Sequence, residues 1–164
     1  MPIKSLLSKA TMAMFSNAIS SELYASNLYK HIANQLQRLG YFGAQAYFLK
    51  ESADELVHYQ KIVDYINDMG DVAPVPAVPA IPDRITNLLD ALELAYETEL
   101  SLLEDYKKFY EDAEDKENDC VTGTFLIEFL QIQRKSVGEY GDLIARYNLN
   151  PNDPFEMDEY LKEL

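Results

Sequence analysis

Residues 51–82 read ESADELVHYQKIVDYINDMGDVAPVPAVPAIP, and this stretch decides the fold. Up to Met69 it holds helix formers, with apolar residues recurring at threes and fours, and Gly70 stops the pattern. Beyond Gly70 come Pro74, Pro76, Pro79 and Pro82. Each proline lacks an N–H donor and clashes with the turn before it, so no helix continues. The segment reads as a stiff, extended connection. Working outward, the spacing predicts helices over about 5–39, 42–69, 83–113 and 119–147, and a short tail helix over about 155–163. Gly40 stops the first, and Asp83 is the expected N-cap of the third. Short links join helices one to two and three to four. The long link between two and three lets the second hairpin pack back against the first. The expectation is all-α: a four-helix bundle with one long crossover and a short C-terminal helix, as a single domain over residues 1–164.

Composition narrows the function. The chain has 164 residues, enough for one domain with a proper core. Its net charge is -14, which argues against nucleic acid, because phosphate binding needs a Lys/Arg surface. Cys120 is the lone cysteine, so no internal disulfide is possible. In MPIKSLLSKATMAMF, Lys4, Ser5, Ser8 and Lys9 interrupt the apolar stretch, unlike a signal peptide. No run reaches the length of a membrane span. A cytoplasmic location is expected.

The sharpest signal is acid where leucine belongs. Glu22 falls on the stripe Phe15, Ala18, Ile19, Tyr29, Ile32 and Leu36 of helix one. On helix two, Glu51, Glu55 and His58 fall between Phe48 and Ile62. On helix three, Glu99 follows Leu92, Ala95 and Tyr96. The stripe of helix four is Leu126, Leu130, Gln133, Val137, Tyr140 and Ile144. A buried, unpaired carboxylate is expensive, and no Lys or Arg shares these stripes. Metal cations are the natural compensation. Glu55 and His58 are three apart on one helix face, which lets Glu55 bridge two metals while His58 binds one. Carboxylates with an imidazole suit iron or manganese, with zinc also compatible. Singly, each glutamate would read as a solvated helix position; three seams with a histidine do not. Gln133 reads equally as an ordinary buried amide, Tyr29 as core packing and Glu51 as a charge at the bundle's end. His31 lies off the seam and reads as exposed. The acidic run from Glu111 to Asp119 reads as a solvated helix end and turn.

SELYASNLY (21–29), ESADELVHYQKIVDYINDMG (51–70), YETELSLL (96–103) and LQIQRKSVGEYGDL (130–143) resemble the helix motifs of non-haem ferritins. The resemblance covers nearly the whole chain. It implies a ferritin-like bundle with a di-iron centre. Glu22, Glu55, His58 and Glu99 match the iron ligands, with Glu55 the bridge, Gln133 the glutamine beside the second iron, and Tyr29 the nearby tyrosine. It also implies a ferroxidase using dioxygen or peroxide, and a homo-oligomeric shell of twenty-four subunits storing ferric mineral. The departures are specific. Where bacterioferritins carry a second Glu-x-x-His, this chain has Gln133 and Ser136. Leu56 stands where they place the haem-ligating methionine, so no haem is expected. Many bacterial ferritins place a third-iron glutamate at the position of Ser136. Glu51 resembles an extra carboxylate found in a subset of ferritins, and is read as a metal residue in transit. Animal channel acids fall by position at Gly123 and Leu126. The competing readings are another di-iron carboxylate enzyme such as a rubrerythrin-like peroxidase, a small dodecameric ferritin-like protein, and a bundle without chemistry.

Overall fold

The computed structural model describes residues 3–164. It contains α1 (Lys9–Leu39), α2 (Phe42–Asp68), α3 (Leu88–Glu111), α4 (Cys120–Leu149) and α5 (Pro154–Lys162), and no strand among the described residues. The expected all-α bundle with a long crossover and a short C-terminal helix is observed. Gly40 closes α1 at φ 90°, a left-handed conformation that glycine adopts without penalty. The Gly40 N–H then reaches the Gln37 carbonyl and the Tyr41 N–H the Leu36 carbonyl, which satisfies the end of α1 while turning the chain into α2.

The apolar core is in two bodies. One joins Leu28, Ile32 and Leu36 of α1 to Phe48, Leu92 and Tyr140. The other joins Phe15 and Ile19 of α1 to Ile62, Tyr106 and Phe129. Between them, at mid-height of all four long helices, lie the buried polar residues Glu22, Glu55, Glu99 and Gln133. The antiparallel hairpins therefore bring the interruptions of four apolar stripes to one level.

Several expectations shift. α1 begins at Lys9 rather than near residue 5, because Ser8 is the N-cap and its hydroxyl accepts the Thr11 N–H at 3.0 Å. Residues before it are strapped across the end of α2: Ser5 donates to Asp71 and the Leu6 N–H to the Met69 carbonyl. Nor is Asp83 the cap of α3. Asn87 caps it, accepting the Asp90 N–H at 2.9 Å, while the Asp83 carbonyl is taken by His31 Nε2 at 2.8 Å. His31 is thus half-buried and fastens the crossover to α1 rather than merely facing solvent. The acidic run after α3 contains a π-helical turn, Asp112–Lys116, and only Ala113 within it is buried. Along α4 the core face is Leu126, Phe129, Gln133, Tyr140 and Leu143, so Phe129 and Leu143 replace Leu130 and Ile144, which stay half-buried. The two faces differ by one residue in a seven-residue repeat, a choice that periodicity alone does not make.

The short α5 docks through a buried carboxylate. Asp158 accepts the Gly43 and Ala44 N–H groups at 3.2 and 2.7 Å, satisfying orphan donors at the start of α2. Any side chain at Gly43 would collide with the Asp158 backbone carbonyl, so the approach needs glycine there.

Candidate metal centre

Glu22 on α1, Glu55 on α2 and Glu99 on α3 are all buried, at 0, 3 and 1% exposure, and no Lys or Arg salt bridge reaches any of them among the described residues. Glu22, Glu55 and His58 each offer a ligand atom, and those atoms lie within 4.8 Å of one another. His58 Nδ1 is 3.0 Å from Glu55 Oε2 and 3.7 Å from Glu22 Oε2. Glu99 is not part of that tight group. It enters from α3, one oxygen fixed by the Tyr29 hydroxyl. Glu51 stands further out, half-buried, and accepts the Tyr140 hydroxyl at 3.0 Å.

Four buried side-chain polar atoms lack any hydrogen-bond partner among the described residues: Glu22 Oε2, Glu99 Oε2, and both amide atoms of Gln133. Every one belongs to the polar layer. Leaving a buried polar group unpaired costs about 1–3 kcal/mol, and more for a charge. A native core carries few such groups, and here they gather at one level, in a layer that could hold a cation.

Two of the carboxylates are each held by one oxygen. Glu22 takes the Tyr106 hydroxyl on Oε1 and leaves Oε2 free; Glu99 takes the Tyr29 hydroxyl on Oε1 and likewise leaves Oε2 free. The bonds are reciprocal, α3 tethering a carboxylate of α1 and α1 one of α3. Burial pushes the Tyr29 and Tyr106 phenols well above their ordinary range, so both remain protonated donors at neutral pH. Below the centre, Ser26 and Ser52 exchange hydroxyl-to-carbonyl bonds of 2.8 Å, which holds α1 close to α2.

Burial also raises the Glu55 carboxyl well above its usual value, with the Glu22 carboxylate adding to the effect against the pull of His58. Glu99 rises to about 7, chiefly through burial, opposed by the Tyr29 bond and reinforced by Glu22. Burial depresses His58, yet its contacts with Glu22 and Glu55 outweigh that and lift it to about 10. Without a metal, therefore, protons substitute for part of the missing positive charge.

A cavity of about 250 Å³ between α2 and α4 opens beside the centre, lined by Glu51, Asp54, Glu55, His58, Ser136 and Glu139 among others. A second, of about 400 Å³, is lined by Tyr47, Glu51, Glu139, Asp142 and Tyr160 among others. Glu51 and Glu139 line both.

Of the residues singled out in sequence, Glu22, Glu55 and His58 converge, and Glu99 and Gln133 share their layer. Tyr106, which holds Glu22, is not among the site residues expected from the sequence. Its signal was a buried tyrosine seven residues after Glu99, matching the seven from Glu22 to Tyr29. Gly123 and Leu126, the positions of channel acids elsewhere, are buried here.

The ferritin-like domain model matches residues 12–149. The chain belongs to the ferritin family. It is 28% identical to a bacterial non-heme ferritin of Staphylococcus saprophyticus, over 97% of this chain and 95% of that one. It is 23% identical to a bacterial non-heme ferritin of Campylobacter jejuni, over 97% and 96% of the two chains. In fold it is similar to an open-pore ferritin of the hyperthermophilic archaeon Archaeoglobus fulgidus. The TM-score is 0.90 at 23% identity, covering 95% of this chain and 97% of that one. No helix among the described residues of this family member is long and apolar enough to cross a membrane.

Proposed function

We propose that the protein is a ferroxidase and iron store. Two Fe(II) bind as substrate between Glu22, Glu55, His58 and Glu99, with Gln133 beside the second. The observation that carries this is the set of orphaned atoms on Glu22, Glu99 and Gln133 around the Glu55–His58 pair. Hard anionic oxygen donors favour Fe(III) over Fe(II) and so favour loss of an electron. The balanced reaction is 2 Fe(II) + O₂ + 2 H⁺ → 2 Fe(III) + H₂O₂, with peroxide as a second acceptable oxidant. Glu55, reaching toward Glu22 and carrying His58, is the bridging carboxylate. Glu22 and Glu99 each offer one free oxygen, the other being tied to a phenol. Tyr29, bonded to Glu99, is placed to give up a hydrogen atom during oxygen reduction. Glu51, lining both cavities, is a transit position for product leaving the pair.

The family reading supplies the rest: copies of this chain close into a hollow homo-oligomeric shell that holds ferric mineral. Rapid mixing of the metal-free protein with two Fe(II) per subunit and oxygen tests the chemistry. The expected result is a fast phase that saturates at two irons per subunit. Oxidation only at the rate of buffer alone overturns it.

A further inference from the structure

The net charge of -14 is not spread evenly over the molecule. Where the end of the crossover meets α1, an open pocket of about 350 Å³ is lined by His31, Gln35 and Arg38 of α1 and by Arg84, Ile85 and Thr86. In a chain with 28 acidic residues, no carboxylate among the described residues lines it. By contrast, the pocket between α1 and α3 holds Glu97 and Asp105, and the one beside α5 holds Asp153 and Glu156.

A hydrogen-bonded latch builds this pocket. His31 Nε2 lies 2.8 Å from the Asp83 carbonyl, and Gln35 donates to the same carbonyl at 3.3 Å. The Ile85 N–H donates to Gln35 Oε1 at 3.0 Å. Arg84 stands between the two latched residues, so its backbone is held against α1. His31, Gln35 and Arg38 are spaced by four and three, so they share one face of that helix.

A single exposed arginine is ordinary surface. These two have no other employment. Neither Arg38 nor Arg84 makes an ion pair among the described residues, whereas Arg146 pairs with Glu156. Arg38 is not needed to close α1, because the Gly40 and Tyr41 N–H groups already take the Gln37 and Leu36 carbonyls. Arg84 precedes α3, which begins at Leu88, so it answers no helix C-terminus. The acid at the start of α3, Asp90, accepts from Thr86 and Asn87 instead. Like charges gathered in one concavity repel each other and focus a positive field, which an anion relieves.

We propose that this pocket binds a phosphate group, carried by inorganic phosphate or by a small phosphate ester. Guanidinium forks match a tetrahedral oxyanion with paired N–H donors. The Asn34 amide in the lining adds a neutral donor, and Leu39 and Ile85 give an apolar wall for the organic part of an ester. The pocket shares no lining residue with the cavity beside the metal centre, so the proposal stands apart from the ferroxidase reading.

The test is calorimetric titration of the metal-free full chain with inorganic phosphate and, separately, with glycerol 3-phosphate, at low ionic strength. The expected result is saturable binding of one phosphate group per subunit. Arg38→Gln and Arg84→Gln each lose a charge-assisted bond and should weaken it about tenfold. Both side chains are exposed, and thermal midpoints equal to the parent's confirm that the variants fold. Arg134→Gln removes the same charge from an exposed, unpaired arginine of α4 and should leave the affinity unchanged. Tighter binding of the ester assigns the site to esters, and equal or weaker binding assigns it to the free ion. No saturable binding of either probe overturns the proposal. So does an equal loss in all three variants, which would mean that net charge alone is read, or an unchanged affinity when Arg38→Gln and Arg84→Gln are combined.

Discussion

Two regions of the molecule bury carboxylates, and they do it in opposite ways. At the junction of α5 and α2, Asp158 is 3% exposed and both its oxygens accept backbone N–H groups. At mid-bundle, Glu22 and Glu99 are as deeply buried, yet each has one oxygen on a phenol and one without a hydrogen bond, with only the His58 ring, 3.7 Å away, near that of Glu22. Both burials carry a desolvation cost. Asp158 recovers it within the chain by capping a helix. The glutamates recover it only in part, through the phenols, His58 and their own raised proton affinity. Burial of an acid is therefore no argument for a metal site by itself; buried oxygens without a hydrogen bond are what support the proposed one.

The largest expected effect breaks the comparison at its functional pole. Glu55→Ala removes the proposed bridge, and fast oxidation should fall by roughly a hundredfold or more, since losing even partners of metal ligands costs about 10–100-fold. Metal-free stability should hold or rise, because one of several mutually repelling buried acids is gone. Stopped-flow absorbance and thermal unfolding read the two halves. A variant that oxidises iron normally but unfolds early would reverse the assignment.

At the structural pole, Asp158→Ala strands two N–H donors and should cost about 1–3 kcal/mol of stability. The first two-iron oxidation should be unchanged. Gly43→Ala should act in the same direction, since its methyl meets the Asp158 carbonyl. Denaturant midpoints with parallel oxidation rates check both.

How much of this contrast was legible beforehand follows from periodicity. Glu22, Glu55, His58 and Glu99 stood out because an acid on an apolar stripe breaks a rule that sequence alone exposes. The crossover stood out because proline forbids helix. Asp158 did not stand out. Its burial depends on α5 folding back onto α2, and nothing in EMDEY distinguishes the aspartate that caps a distant helix from its solvated neighbours. The start of α3 differs from the expectation for a similar reason: Asp83 and Asn87 are both good caps in sequence, and the Asp83 carbonyl is engaged by His31, far away in sequence, while Asn87 takes the cap.

The proton balance sharpens the same comparison. Glu99 has a folded value of about 7 against 4.5 ordinarily, so the stability it contributes is full below 4.5 and is lost as pH rises through 7. His58, lifted from 6.5 to about 10, contributes fully below 6.5 and loses its share as pH rises through 10. Metal-free protein should therefore lose stability from this layer as pH climbs from mildly acidic to alkaline. Iron ligation needs a neutral imidazole and ionised carboxylates, so anaerobic Fe(II) binding at pH 7 should release about one proton or more per subunit. A pH-stat titration reads this directly; uptake or silence would contradict the charge state inferred for the metal-free layer.

The smallest effect concerns the tethers. Tyr106→Phe frees Glu22 Oε1 and removes one hydrogen bond, worth about 0.5–1.5 kcal/mol. Iron affinity should drop several-fold while the oxidation phase persists. Loss of oxidation as complete as in Glu55→Ala would mean that the phenol does more than hold the carboxylate.

The central claim is that the unused lone pairs at mid-bundle are iron ligands. Its most direct test is anaerobic Fe(II) soaking of crystals with anomalous diffraction recorded at the iron edge. The prediction is two peaks per subunit, both within coordinating distance of Glu55, one also against Glu22 and His58 and the other against Glu99. Iron found only at the exposed acids of the surface, with the Glu22–Glu55–Glu99 layer still empty, would contradict it.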